Sequence, residues 1–429
     1  MKVDVLLGLQ WGDEGKGKIV DYLAPNYQMV ARFQGGPNAG HTLEFDAVKH
    51  VLHQIPSGVF RSGVHNVIGN GVVLDPIVLR EELDNLKPYG LALDTHLYIS
   101  KKAQLILPTH RLLDAAYEQS KGKDKIGSTL RGIGPTYQDK IGRVGLRVGD
   151  ILRADFEEQY QTLKAEHEQK LSYYNYSYDL SEAESKFWEA VEMMRQMKLV
   201  DSEYFINQHL EAGTAVLAEG AQGSLLDIDF GNYPFVTSST TTAAGACTGL
   251  GIAPQRIGEV FGIFKAYCTR VGSGPFVTEL TDQTGDFLRS EGHEFGATTG
   301  RPRRCGWLDI PALKYAATIN GATQLFMMKA DVLNRLETLR VCTKYRLPDG
   351  SEIDYVPFEI CDSQIEPVYE SFEGWNTNLE GVSEFGALPG ALLRYIAFIE
   401  EAVGIPINVV SVGPNRKETI IRTEEAIMG

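Results

Sequence analysis

The sequence predicts an α/β protein with a large, mainly parallel central sheet, flanking helices, a helical insertion and a GTPase-like phosphate loop. Three observations carry this. The start, "VDVLLGL", is apolar on both faces and runs straight into glycines, as a buried strand before a ligand loop does. Strand-like and helix-like runs then alternate, the pattern of a parallel sheet wound with helices. Further on, a long charged stretch of helical period interrupts the pattern.

Taken in order, "GKGKIVDYLA" opens a helix that Pro25 stops, and "YQMVARFQGG" is the next strand, closed by glycines. "VHNVIGNGVVLDP" reads as strand and turn, and "PIVLREELDNL" as a helix. From Ile151 to about Leu217 the chain is charged, nearly free of glycine and helical in period. "TAVLAEGAQG" returns to strand, followed by a loop rich in Gly, Ser and Thr. "QLFMMKADVL" is a later strand ending in polar residues, and "INVVSVGPNRKETII" is strand, turn, strand. Without an internal repeat or a low-complexity linker, residues 1–429 read as a single large α/β domain with a mostly helical insertion at about 151–215.

Bulk properties narrow the function. A hydrophobic fraction of 43% supplies a buried core, and a formal net charge of −15 argues against non-specific nucleic-acid binding. Cys247, Cys268, Cys305, Cys342 and Cys361 are odd in number, far apart and without a CxxC pair, which fits a reducing compartment. The apolar start is too short for a signal peptide and no run reaches membrane-spanning length, so a cytoplasmic protein is expected.

The segment "GLQWGDEGKGK", Gly8 to Lys18, carries the most chemistry. Gly12 to Lys18 follows the G-x-x-x-x-G-K phosphate pattern, but Ile19 stands where Ser or Thr supplies a hydroxyl to Mg²⁺. Asp13 and Glu14 lie inside it, although carboxylates repel a phosphate. With the hydroxyl gone, Asp13 is free to bind the metal or act as a base; a plain glycine turn with solvated charges is the competing reading. "QGGPNAGHT", Gln34 to Thr42, is a second glycine loop, carrying Asn38 and His41. If the strands before the two loops are adjacent and parallel, both loops lie at one sheet edge and Asp13 with His41 forms an acid–base pair. "KAD", Lys329 to Asp331, resembles the guanine-reading K-x-D element, with Met328 where GTPases usually carry Asn. One carboxylate accepts from both N1–H and the exocyclic NH₂ of guanine. "FGATTGRPRRCGWLD" places Arg301, Arg303 and Arg304 together in an acidic chain, as an anionic ligand requires. "GSTLRGIGPTYQDKIGRVGLRVGD" and "TSSTTTAAGA" add donor-rich turns that suit a second phosphate-bearing ligand or are structural.

"QWGDEGKGK", "QGGPNAGHT", "EGAQGSLLDID", "YPFVTSS", "EFGATTGRPRR", "GWLD", "KADVL" and "SVGP" follow one another from residue 10 to residue 414. In these motifs the chain resembles the adenylosuccinate synthetase family over essentially its whole length. The resemblance implies GTP-dependent ligation of IMP and L-aspartate to adenylosuccinate through 6-phosphoryl-IMP, releasing GDP and phosphate, with Mg²⁺. This is the first committed step from IMP to AMP. It further implies that Asp13 is the base, His41 the acid, and Lys16 and Gln222 catalytic partners, with Asp13 and the Gly40 carbonyl on the metal. Gly12, Asp13, Glu14, Gly15, Lys16, Gly17 and Lys18, Gly40, His41 and Thr42, Arg303, Lys329, Ala330 and Asp331, and Ser411, Val412 and Gly413 would hold GTP. Asp13, Lys16, Asn38, Gly40, His41, Thr129, Gln222, Thr237 and Arg301 would hold IMP, with Arg143 reaching across a homodimer interface. Ala297, Thr298, Thr299, Gly300, Arg301 and Arg303 would hold aspartate. Leu130, Pro302 and Pro37 depart from the family pattern without touching a catalytic side chain. A GTP-binding switch without ligase chemistry is the competing class, and it has no use for a third anionic site. A dinucleotide oxidoreductase lacks its G-x-G-x-x-G.

Overall fold

The computed structural model describes residues 1–45, 48–122, 125–296, 300–361 and 364–422. Its centre is a ten-stranded sheet. In chain order the strands are β1 (Val3–Gly8), β2 (Met29–Arg32), β3 (His65–Ile68), β4 (Leu97–Ser100), β5 (Lys198–Val200), β6 (Val216–Glu219), β7 (Ile257–Lys265), β8 (Gln324–Met328), β9 (Ile407–Ser411) and β10 (Thr419–Ile421). Their spatial order is β10-β9-β8-β7-β1-β6-β2-β3-β4-β5, parallel throughout except for the antiparallel edge strand β10. The large, mainly parallel sheet expected from the sequence is therefore present.

β1 is buried on both faces because it lies mid-sheet. Val3, Val5 and Leu7 pack into the larger core, while Leu6 meets Ile19 and Val20 of helix α1 (Lys16–Leu23) on the other side. α1 passes into a short 3₁₀ turn over Ala24–Asn26 at Pro25, as the sequence suggests. The charged stretch holds helices Phe156–Tyr173, Ser181–Met194 and Ser202–Glu211, with β5 between the last two.

One expectation is corrected. β1 and β2 are not neighbours: β6 lies between them and pairs with both, Val3 opposite Val216 and Met29 opposite Val216 in register. A strand about two hundred residues later in the chain takes the central slot because its four residues are all buried and can be covered on both faces. The two glycine loops still share one edge, because parallel strands end on the same side of a sheet. The exchange puts the end of β6, with Glu219 and Gln222, between them.

Candidate active site

After β1 the backbone turns through Gly12 (φ 87°), Asp13 (φ 60°) and Gly15 (φ 97°), and α1 begins at Lys16. Left-handed residues just before a helix N-terminus gather N–H groups into an anion-binding hollow. Asp13 adopts a conformation that favours glycine, at a cost of ~1–2 kcal/mol. Its neighbour Glu14 is fully buried. The Glu14 carboxylate accepts from the backbone N–H of Gln10 (3.1 Å) and Gly12 (2.9 Å) and pairs with Lys16 Nζ at 2.7 Å. Glu14 therefore braces the loop from inside, leaving only its backbone to face a ligand. The Asp13 side chain is about a third exposed, and its Oδ2 accepts from Arg303 Nε at 2.8 Å.

Three other candidate segments close on this loop. A methyl group at Gly17 would lie 2.9 Å from His41 Cβ, one at Gly15 3.2 Å from Met328, and one at Gly12 3.5 Å from Gln222 Cα. The loop, the His41 strand, the residue preceding "KAD" and the loop after β6 thus meet at the N-terminus of α1.

His41 is buried. Its Nδ1 lies 2.5 Å from Glu219 Oε1, and the Glu219 carboxylate also accepts from Ser57 Oγ (2.6 Å) and Ser57 N–H (2.8 Å). Among the described residues His41 Nε2 has no protein partner, and neither do the buried amide oxygens of Gln34, Asn38 and Gln222. Burial lowers the pKa of His41 against the pull of Glu219. Four unpartnered polar atoms on the two loops flanking Asp13 mark a place built for a polar ligand.

On the other flank, Lys18 turns away from the loop and donates to Ser411 Oγ (2.7 Å), the Gly413 carbonyl (2.7 Å) and the Glu418 carbonyl (3.0 Å). It ties α1 to the Ser411–Gly413 segment, where Val412 is buried. Burial lowers the pKa of Lys18 to about 8, with Glu418 and Asp331 opposing. Lys329 is left-handed (φ 60°) and donates to the Gly292 carbonyl; Ala330 is buried and starts a 3₁₀ turn over Ala330–Leu333. Burial raises the Asp331 pKa, and Lys329 and Lys18 pull it back.

Arg303 joins this flank to Asp13. It also pairs with Glu294, a fully buried carboxylate shared with Lys265 (2.9 Å), Lys329 (3.1 Å) and Tyr267 Oη (2.5 Å). Burial opposes charge on Arg303, but Asp13 and Glu294 outweigh it and hold its pKa above the usual value. The Arg301 guanidinium reaches the Gly127 carbonyl at 3.4 Å, next to half-buried Thr129. Thr237 N–H is held by the Leu226 carbonyl, just after the Gln222 loop. Gly40 and Thr42 flank His41, Thr42 opposite Val51 in a hairpin. Gly300 donates to the Gly296 carbonyl, and Ala297, Thr298 and Thr299 lie outside the described residues. Arg143 is exposed at the end of helix Ile133–Gly142, whose Tyr137 donates its hydroxyl to the Gly71 carbonyl and accepts from Gly35 N–H. Leu130 is exposed and left-handed (φ 56°), so a leucine holds the glycine conformation that the family pattern suggests.

Sequence reasoning missed Glu219, Ser57, Glu294 and Lys265. Glu219 left a signal, a carboxylate closing an otherwise apolar strand; Glu294 left none. Elsewhere, His110, Asp139 and His167 form a buried group with metal-ligand types. Asp139 Oδ2 accepts from both Nε2 atoms, while Leu107 N–H and Thr109 Oγ1 serve the two Nδ1 atoms. Neither ring keeps a lone pair for a metal, so the cluster is a closed hydrogen-bond network.

The family model described as adenylosuccinate synthetase matches residues 5–420. The adenylosuccinate synthetase of Cytophaga hutchinsonii is 62% identical over 98% of both chains, and that of Flavobacterium psychrophilum is 60% identical over 98% of this chain and all of the relative. The fully ligated adenylosuccinate synthetase of Plasmodium falciparum superposes with a TM-score of 0.93 at 40% identity, over 99% of this chain and all of that one. A cyanophage succinoaminodeoxyadenylate synthetase, 20% identical with a TM-score of 0.63, shares the fold. With a family model spanning nearly the whole chain and relatives near 60% identity end to end, the chain belongs to the adenylosuccinate synthetase family.

Proposed function

We infer that the Gly12–Lys18 loop, His41 with Gln222, and Arg303 form the centre in which this chain does its family's work. The activity itself follows from the family: GTP-dependent ligation of IMP and L-aspartate to adenylosuccinate, with release of GDP and phosphate. The observation that carries the site is the convergence of four segments on the N-terminus of α1, with Asp13 at its mouth and unpartnered Nε2 and amide oxygens beside it.

The chemistry needs a base. The oxygen on C6 of IMP is a poor leaving group. Asp13 takes the N1 proton, charge builds on O6, and O6 attacks the γ-phosphate of GTP. His41, carrying a proton on Nε2, donates it to that oxygen and so steadies it, and Gln222 and Asn38 hold the ring. The aspartate amine then displaces phosphate at C6, with Arg301 and Arg303 gripping the carboxylates. Lys16 and the hollow before α1 take the phosphates. Lys18 and the Ser411–Gly413 segment wall the GTP side, and Asp331 accepts from guanine. Thr129, Thr237 and Gly300 complete the phosphate and carboxylate ends, together with Ala297, Thr298 and Thr299.

Mg²⁺ suits this place. The Asp13 carboxylate and the Gly40 carbonyl are hard oxygen donors, and Mg²⁺ takes few protein ligands beside phosphate oxygens and water. When bound, it neutralises charge on the transferring group. The unit would be a homodimer, each chain lending Arg143 to the other's IMP phosphate; exposed Ile141 and Val144 beside Arg143 support a covered surface there. One catalytic domain over 1–429, with its mostly helical insertion at about 151–215, accords with the one large ten-stranded sheet at its centre. Among the described residues there is no disulfide and no helix long and apolar enough to cross a membrane. A cytoplasmic setting accords with both.

The test is an absorbance assay with IMP, GTP, Mg²⁺ and aspartate, omitting each in turn. A ligase consumes GTP only when IMP and aspartate are both present. Slow GTP turnover indifferent to both would make the chain a switch.

A further inference from the structure

We propose that Glu219 is the positioning residue of His41: it fixes the ring and its tautomer so that Nε2 alone faces the reacting oxygen. This deepens the site above and rests on the assignment of His41 to O6.

The geometry is specific. Glu219 is the last residue of β6, the strand that the fold inserts between the Asp13 and His41 loops. Its carboxylate is fully buried and closes on three donors: His41 Nδ1 at 2.5 Å, Ser57 Oγ at 2.6 Å and Ser57 N–H at 2.8 Å. Ser57 supplies two fixed donors, one of them backbone, so the carboxylate cannot rotate to follow the ring. The ring must meet it. A carboxylate only accepts, so the proton between the two rests on Nδ1 in the neutral ring. Nε2 is then the single ring atom free to exchange a proton with a ligand, and it is buried and without a partner among the described residues. The other charged groups around the ring are cations, Arg32 from β2 and Lys16 from α1. A carboxylate behind a catalytic histidine fixes the ring wherever tautomer and orientation matter.

Glu219→Gln preserves shape but replaces one acceptor oxygen by an NH₂ group. Either His41 Nδ1–H or a Ser57 donor then faces a donor. The expected result is a fall in kcat on the order of 10²-fold, the scale of one acid–base group. KM for IMP and GTP should stay within ~3-fold, since the histidine would still fill its place. Glu219→Asp keeps the charge and should retain more turnover than Glu219→Gln. In the intact protein, nitrogen NMR of His41, assigned by loss of its signal in His41→Asn, should show the Nδ1–H tautomer. This reading needs no folded variant. An Nε2–H tautomer would overturn the proposal. So would Glu219→Gln with wild-type kcat while His41→Asn is dead, or Glu219→Gln and Glu219→Asp equally damaged. If His41→Asn itself remains active, the assignment of His41 fails instead.

Discussion

Asp13 and Glu14 are neighbours that face opposite ways. Glu14 turns inward to two backbone N–H groups and Lys16, and Asp13 turns outward to Arg303. Asp13→Ala should therefore lower turnover by at least ~10²–10⁴-fold, the loss of a general base, while circular dichroism and melting stay near wild type. A variant keeping a tenth of the activity would remove Asp13 from the mechanism. The proposed function gives base choice to Asp331. Asp331→Asn exchanges an acceptor for a donor, so GTP should lose on the order of 1–3 kcal/mol in kcat/KM and XTP should become the better substrate. An unchanged nucleotide preference would contradict this. Both residues were legible as candidates because each breaks a local pattern: acid in a phosphate loop, polar residues closing an apolar strand. Glu294 was not legible. Its meaning is a meeting of Lys265 and Lys329, which lie outside any short window around it, with Arg303, which shares its motif but gives no sign of the pairing.

At the scale of elements, the strands and helices near the loops follow from periodicity and glycine placement, whereas the slot each strand occupies does not. β6 inserts between β1 and β2 through long-range pairing that local pattern does not encode. The closed network of His110, Asp139 and His167 shows how helices Pro108–Ser120, Ile133–Gly142 and Phe156–Tyr173 are tied. It also predicts a pH dependence. Burial holds His110 at about 4, below the ~6.5 of an unfolded chain. Between those values the unfolded chain binds a proton that the folded one refuses. Stability from this group is complete above pH ~6.5 and falls as pH drops toward 4, by up to ~1.4 kcal/mol per pH unit. Urea unfolding at two pH values within that window should show a shallower slope in His110→Gln than in wild type. Equal slopes would mean that His110 titrates normally.

At the scale of the molecule, a net charge of −15 surrounds a centre lined by Lys16, Lys18, Lys265, Arg303 and Lys329. Most of these cations are held in fixed pairs, Lys16 with Glu14, Arg303 with Asp13 and Glu294, and Lys265 and Lys329 with Glu294. Lys16, Lys18 and Arg303 were visible in the sequence as basic residues of glycine-rich loops, and Lys265, at the end of a strand, was not. Assembly was visible only through family resemblance. If Arg143 serves the neighbouring site, Arg143→Leu and Asp13→Ala proteins, each inactive, should complement each other when subunits exchange. Random pairing makes half the dimers hybrid, and two-fold symmetry leaves each hybrid one intact site, so roughly a quarter of wild-type activity should return. Mixtures as dead as their parents, with exchange confirmed by mass, would place Arg143 outside any shared site.

The central claim is that an acid sits in a phosphate loop because IMP must lose a proton before its O6 can attack GTP. The most direct measurement follows that oxygen. IMP carrying a heavy oxygen isotope at O6 is turned over with GTP and aspartate, and the released phosphate is analysed by mass. The account predicts that the label leaves the purine and appears in inorganic phosphate, one atom per turnover. Unlabelled phosphate, with the heavy oxygen found in water, would mean that GTP is hydrolysed without phosphorylating O6 and would contradict the account.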